Sequence, residues 1–410
     1  MTEVPKTSLK LLFKDNVGVL MFSWLLLSIG YAISRPYFSI YVKALGGSDF
    51  HIGLLNSLSA LSSMIFLIPS GYFIDYIGRR RVIVTFTWII SLLNILYALS
   101  INWKMLLIVH CVASALRFYT PALTTILMDS LPSEMRAGGA LLTSIIPGIP
   151  WFILPFIGGL LIDSYGIMGM RVAYAIGGFT SLLAAFLRYR FLTETLTEKK
   201  RVLQGSLREL VMNSYTDVFS FLKNVPLNLV VVLVLPMLIS SPSVVVFINY
   251  RVVYAKEYIN VTMSEWGLYD SVATILSSLL GFLLLPFLDK IPRNISAFIG
   301  DVLAIMSYSL FLSFGRYGIA LSLILFYASY NFYFPAISAW IADSVKREYR
   351  GRVNALYELS GYVGWSWGSL VFGYIYSLDP VTAFVLSAIL VLIDCIVVLI
   401  IVRKPEIVEE

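Results

Sequence analysis

The stretch FYTPALTTILMDSLPSEMR, residues 118–136, nearly returns as FYFPAISAWIADSVKREYR, residues 332–350. With a constant offset of 214 and no gaps, Phe118, Tyr119, Pro121, Ala122, Asp129, Ser130, Glu134 and Arg136 meet identical residues in the second copy. The register continues outside the quoted segments: Gly53 meets Gly267, Asp75 meets Asp289, Arg79 meets Arg293, Trp151 meets Trp365 and Gly159 meets Gly373. Two apolar chains share scattered glycines by chance. They rarely share D-S-x-x-x-E-x-R in the same charged turn. The chain is an internal duplication.

Composition says what each copy is made of. Hydrophobic residues make up 59% of the chain, charged residues 13%, and the mean hydropathy is +0.84. A soluble domain carries about 25% charged residues, so this chain could not cover its own surface with polar groups. Its apolar runs reach about 20 residues, enough to cross a bilayer as helices that satisfy their own backbone. The pattern predicts an all-α polytopic membrane protein with twelve spans, at 17–42, 52–74, 82–101, 104–128, 138–162, 171–192, 226–250, 265–288, 294–314, 318–342, 353–376 and 380–402. The first span is too long for a signal-peptide core and no small-residue cleavage site follows it, so it reads as a permanent helix. The longest break, 193–225, carries EKKR and the amphipathic stretch SLRELVMNSYTDVFSFLKN, suited to a membrane surface. It separates an N-terminal six-helix half, 1–192, from a C-terminal half, 226–410. Six is even, so both halves share one orientation.

Lysine and arginine set that orientation. One set of turns, with both termini, holds 22 of them and the other set holds 6, with Arg35 and Arg117 inside spans. The positive-inside rule puts both termini in the cytoplasm of a multi-pass protein of the cell membrane. The net charge of +6 therefore reflects topology, and no nucleic-acid partner is inferred. Cys111 and Cys395 fall in spans of different halves and read as core thiols without a disulfide.

A second stretch carries a family resemblance. GYFIDYIGRRR, residues 71–81, resembles the loop signature of the major facilitator superfamily, G-x-x-x-D-[RK]-x-G-R-[RK]. Gly71, Asp75, Gly78, Arg79 and Arg80 match, and Tyr76 departs from the basic residue. Its counterpart LPFLDKIPRN keeps Asp289, Lys290 and Arg293 but has Leu285 and Pro292 at the glycine positions. The resemblance implies a fold of two pseudo-symmetric six-helix bundles that binds a small-molecule substrate near the midplane between them. It also implies a cytoplasmic latch built on Gly71, Asp75, Gly78, Arg79, Arg80 and Asp289, Arg293, with Asp129, Arg136, Asp343 and Arg350 as its partners. Physically, Gly71 admits a neighbouring helix and Gly78 a tight turn, while Asp75 and Arg79 can pair with each other or with helix termini. Arg80 and Arg81 are expected mainly to anchor the turn. LPFIGG, residues 154–159, resembles the end of the superfamily's antiporter motif, with Leu154 in place of a glycine.

Ionisable residues inside spans cost several kcal/mol to bury and mark function. Arg35 and Arg117 map through the repeat onto Asn249 and Asn331, and the resemblance puts spans 1, 4, 7 and 10 around the central cavity. Arginine offers a fixed charge and a planar fork suited to carboxylate or phosphate; asparagine offers donor and acceptor without charge. With no acid nearby in spans 1 or 4, these residues point to an anionic substrate, with Tyr31, Tyr119 and Trp365 as further lining. Glu358 in span 11 is the expected proton-coupling carboxylate. Asp301 and Asp394 are expected to hydrogen-bond each other as scaffold, and His110 to be a core residue. There is no Walker loop, metal-ligand cluster or nucleophile elbow, so no catalytic residue, metal or cofactor is expected. The function expected is secondary-active transport of a small organic solute, leaning anionic and proton-coupled, by a monomer in the lipid bilayer. The alternatives are a multidrug/proton antiporter and a non-transporting sensor of the same fold.

Overall fold

A computed structural model describes residues 15–131, 143, 145–196, 209, 211–216, 227–288, 290–344 and 350–402, without the side chains at 75, 227–233, 285 and 350–352. All regular structure among the described residues is helical. Span 1 is Asp15–Ala44, span 2 Asp49–Leu67, span 3 Arg79–Ala98, span 4 Trp103–Ser130, span 5 Ile145–Tyr165 and span 6 Ile167–Phe191. Span 7 is Leu227–Glu257, span 8 Met263–Leu288, span 9 Arg293–Ser313, span 10 Gly315–Ser344, span 11 Arg350–Leu378 and span 12 Pro380–Ile401. Among the described residues, eleven helices are long and apolar enough to cross a membrane; span 11 is the twelfth helix. Outward faces are apolar, as at Leu279, Phe282 and Leu283 of span 8, so these helices present hydrocarbon where a soluble protein presents charge.

Several helices run further than hydropathy alone predicts. Span 7 was expected to end at 250 and continues to Glu257, which carries Arg251 out of the expected turn and into the helix. Arg188, counted with the central loop, lies inside span 6 with no exposed surface. Arg188 already lay within the expected span 171–192; for span 7 the cause is that a polar residue near a helix end lowers the hydropathy average, while the backbone stays hydrogen-bonded and the side chain finds partners inside.

The duplication holds at the level of packing. Phe118, Tyr119 and Ala122 are 9%, 6% and 1% exposed, and Phe332, Tyr333 and Ala336 are 9%, 6% and 3%. The first set joins an apolar cluster with Leu20 of span 1, Ile83 and Ile90 of span 3, and Ile126. The turn charges repeat as well. Arg79 pairs with Asp129, and at the same register Arg293 stands 3.9 Å from Asp343. Each pair ties the start of a helix, span 3 or span 9, to the end of span 4 or span 10 within its own half. The glycine position between spans 2 and 3 is solved in two ways: Gly78 takes φ +101°, a region closed to side chains, whereas Pro292 reaches its turn at φ −53°.

The chain packs as two compact units, one of 1–38 with 62–224, the other of 39–61 with 225–410. In the first unit, spans 1 and 6 meet at Gly30 and Gly177, and Gly158 of span 5 lies against the carbonyl of Ile33. The second unit takes in the end of span 1 and the start of span 2. There Lys43 bridges Asp49 and Glu257 at 2.7 Å each, Tyr250 donates to the Asp49 carbonyl at 2.9 Å, and Gly53 packs against Gly373.

Candidate functional site

Two prolines position the first pair of candidates. Pro36 and Pro121 lack an N–H and cannot continue the α-helical ladder. Spans 1 and 4 respond with short 3₁₀ segments, Arg35–Tyr37 and Leu116–Tyr119, each of which contains one of the intramembrane arginines. The Arg117 carbonyl, left by Pro121, accepts instead from the Thr120 hydroxyl at 2.7 Å. A 3₁₀ break inside a helix presents its side chains out of the regular register and often marks a functional position. Tyr37 locks the first break by donating to the Pro155 carbonyl at 2.5 Å.

Arg35 and Arg117 both keep exposed side chains, although Ser34, Tyr37, Phe118 and Tyr119 beside them are buried. The Arg117 guanidinium carbon lies 5.6 Å from the Tyr31 ring centroid, a cation–π contact. Both arginines and Tyr31 lie within electrostatic reach of one another. Among the described residues neither arginine has a carboxylate at ion-pair distance. His110 lies 2.7 Å from the Tyr97 hydroxyl, with its ring tilted at 31° to that of Phe38 and the centroids 4.6 Å apart. The first unit thus gathers two unpaired cations with a phenol beside them.

The asparagines are held differently. Asn331 donates to the Ser277 carbonyl at 2.9 Å and packs against Gly281, so its amide ties span 10 to span 8. Asn249 is buried; its carbonyl accepts from Ser39 at 2.5 Å, while its side-chain Nδ2 has no hydrogen-bond acceptor among the described residues. The Tyr119 hydroxyl accepts from Arg188 at 3.5 Å and also lies within electrostatic reach of Arg117. Trp365 is half-buried in span 11, and Glu358 is exposed on the same helix. Of the turn charges, Arg79, Asp129, Arg293 and Asp343 form the two pairs above. Arg80 clamps span 6 through the carbonyls of Leu192 at 2.5 Å and Tyr189 at 2.9 Å, and Gly71, expected to admit a neighbouring helix, has open space where a Cβ would stand among the described residues. Arg136 and Asp289, with the side chains of Asp75 and Arg350, lie outside the described residues.

Two of the buried polar groups, Arg188 and the Arg251–Asp270 pair, were not singled out in the sequence; Asp301 and Asp394 were. Arg188 donates to Ser23 at 2.9 Å, Thr87 at 2.8 Å and Tyr119 at 3.5 Å, with Nη2 left over. Asp301 and Asp394, expected to hydrogen-bond each other, lie within electrostatic reach, but Asp394 accepts instead from Tyr333 at 2.9 Å, and Asp301 Oδ2 and Asp394 Oδ1 have no hydrogen-bond partner among the described residues. Arg251 of span 7 and Asp270 of span 8 face each other at 3.6 Å. Asp270 was legible: an acid inside an expected span is the signal that singled out Arg35 and Arg117.

The sequence profile of the Major Facilitator Superfamily matches residues 20–258 and 245–410. The chain belongs to the Major Facilitator Superfamily. It is 24% identical over 370 residues to the MFS-type transporter MJ1560 of Methanocaldococcus jannaschii, covering 88% of this chain and 91% of that protein. It is 27% identical over 190 residues to the multi-drug resistance efflux pump PmrA of Streptococcus pneumoniae, covering 44% and 46%. Among solved structures, the nucleoside transporter NupG superposes with a TM-score of 0.74 at 14% identity, over 95% of this chain and 99% of that one. The likeness to NupG shows the shared two-bundle fold. This facilitator is a multi-pass membrane transporter, and its substrate site is to be argued from its own residues.

Proposed function

We propose that the protein carries a small organic solute, anionic by preference, by proton-coupled alternating access, as a monomer in the cell membrane with both termini cytoplasmic. One observation supports the substrate class: Arg35 and Arg117 stay exposed beside Tyr31, with no carboxylate at ion-pair distance among the described residues. A permanent charge in the membrane interior is costly until an anion meets it. Two arginines on separate helices can grip a carboxylate or phosphate from two directions.

The test is a thermal-stability screen of purified protein against benzoate, uridine and ethidium, since a ligand of the native state raises its stability by mass action. Benzoate should stabilise most. Arg117→Gln should weaken benzoate binding by about tenfold or more, because a charge-assisted contact is worth roughly 1.5–3 kcal/mol. Arg117→Lys should restore part of it, since lysine keeps the charge and loses the fork. Unchanged benzoate binding in well-folded Arg35→Gln and Arg117→Gln overturns the anion site. The similarity to PmrA supports a second reading, multidrug/proton antiport. Preferential stabilisation by ethidium, with flux in proteoliposomes, would select it. Binding without flux of any kind would leave a sensor.

A further inference from the structure

The second unit holds a buried charged group that the duplication does not explain. The ion pairs Arg79–Asp129 and Arg293–Asp343 are copies of each other at an offset of 214. Arg251 and Asp270 have no such copy: their counterparts are Tyr37 and Asn56, and that of Tyr327 is Ala113. An ion pair needed only to assemble a six-helix bundle would be needed in both bundles. This one was built into, or kept in, one half alone.

Its geometry is unusual for a structural ion pair. Asp270 is 1% exposed, and Arg251 stands 3.6 Å from its Oδ1, beyond hydrogen-bond distance. Tyr327 of span 10 lies between them: it accepts from Arg251 Nη2 at 2.7 Å and donates to Asp270 Oδ1 at 2.5 Å. Among the described residues, Asp270 Oδ2 and Arg251 Nη1 have no hydrogen-bond partner. A structural carboxylate would spend both oxygens. Here one buried oxygen is left to accept a proton.

The arginine, meanwhile, has a second source of stabilisation. Its guanidinium carbon lies 5.1 Å from the Tyr327 ring centroid, 5.3 Å from Phe326, 5.5 Å from Phe247 and 5.8 Å from Trp266. Four ring faces hold a cation without neutralising it. When the carboxylate loses its charge, the arginine is therefore still solvated, and neutralising Asp270 does not leave a bare buried cation. Among the described residues, the further titratable groups near the pair are Tyr330, one turn further along span 10, and Tyr308 of span 9, both within electrostatic reach of Arg251. We propose that Asp270 is a proton-loading site of the transport cycle, with Arg251 as the fixed cation that holds it ionised and Tyr327 as the hydroxyl that joins them. A proton from water forms an O–H bond at Asp270 Oδ2, the carboxylate becomes a neutral acid, and the same bond breaks to return the proton to water on the opposite side. The assignment rests on the proton-coupled reading above and adds a second carboxylate to Glu358.

Infrared difference spectroscopy of the reconstituted full chain tests it without any substrate. Between about pH 8 and about pH 5, a range that a perturbed carboxyl can cross, the wild type should gain the C=O stretch of a protonated acid. Asp270→Asn should lose part of that band. Tyr327→Phe, which keeps the acid but removes its donor, should move that part to higher frequency. Identical spectra for wild type and Asp270→Asn overturn the proposal; if that variant does not fold, an unmoved band in Tyr327→Phe does so. A second arm separates coupling from simple titration, using proteoliposomes supplied with benzoate, uridine or ethidium. A gradient of about one pH unit can concentrate a one-proton-coupled probe about tenfold. Asp270→Asn should abolish that accumulation while keeping exchange of labelled for unlabelled probe within about twofold of wild type, since only the proton step is lost. Loss of both activities, or retention of both, overturns the role. If none of the three probes is carried, the substrate reading fails, and the infrared arm still decides Asp270.

Discussion

At the residue scale, the chain places polar side chains where a backbone or a buried charge needs them. Asp379 is the simplest case. It precedes Pro380, has extended backbone, and accepts from the Thr382 N–H at 2.8 Å, capping span 12. The cap holds its carboxyl below the usual carboxylate range, chiefly through the hydrogen bonds from Thr382. A depressed folded-state pKa contributes stability that is present above the unfolded value and lost as pH falls through the folded one. Asp379→Ala should therefore lower the melting temperature at neutral pH, and the gap to wild type should narrow in acid as pH falls below the unfolded value and through the depressed folded one. A gap that persists in acid would assign the effect to backbone preference instead of the charge. Arg188 shows a different use of the same resource. Tyr119 of span 4 is met by Arg188 of span 6, while its repeat counterpart Tyr333 of span 10 is met by Asp394 of span 12. The two halves share the tyrosine and the helix pair that reaches it, but not the sign of the charge. No spacing rule in the sequence reveals that substitution, because Arg188 and Asp394 do not occupy equivalent register positions.

At the scale of elements, small residues decide how closely helices approach. A Cβ on Gly30 would stand 2.5 Å from the Gly177 Cα, so spans 1 and 6 can keep their distance only with glycine there. Gly148 has nothing within 4 Å and a φ of −74°, open to any residue. Gly30→Ala should cost about 1–3 kcal/mol through overpacking, and Gly148→Ala should stay within about 0.5 kcal/mol of wild type. Thermal unfolding of the two variants side by side checks this, and equal effects would refute the close-contact account. The elements also show what the sequence could carry. Twelve spans and the duplicated turn were legible because lipid imposes long apolar helices and because the offset of 214 is unbroken. The 3₁₀ breaks at Arg35 and Arg117 were foreshadowed only by Pro36 and Pro121. Pro335 shows why proline alone does not settle the matter: it stands at the Pro121 register, yet span 10 runs on as one α-helix. The pairings of Arg251 and Arg188 were hidden for another reason. They depend on which faces of non-adjacent spans meet, and hydropathy averages do not record faces.

At the scale of the whole molecule, the chain's repeat and its packing divide it at different places. The repeat boundary falls in the central stretch 193–225, whereas residues 39–61 pack in the unit that contains 225–410. Lys43 and Glu257, which bridge within that second unit, are themselves 214 positions apart and opposite in charge. Equivalent positions of a duplicated chain have thus diverged into an attractive pair, a step available to a fused duplication and not to a dimer of identical copies. The remaining global property is orientation, for which the 22-to-6 division of lysine and arginine carries an expectation, both termini in the cytoplasm. Moving Arg188 and Arg251 into the membrane removes one charge from each side and leaves that asymmetry intact. Single cysteines in a Cys111- and Cys395-free background test it. Gly205→Cys, in the loop between spans 6 and 7, should react with an impermeant maleimide only after the membrane is opened. Tyr317→Cys, at the start of span 10 and 95% exposed, should react in intact cells. The reverse pattern would invert the topology. It would also require the lysine- and arginine-rich set of turns to have crossed the membrane, against the bias that sets membrane-protein orientation.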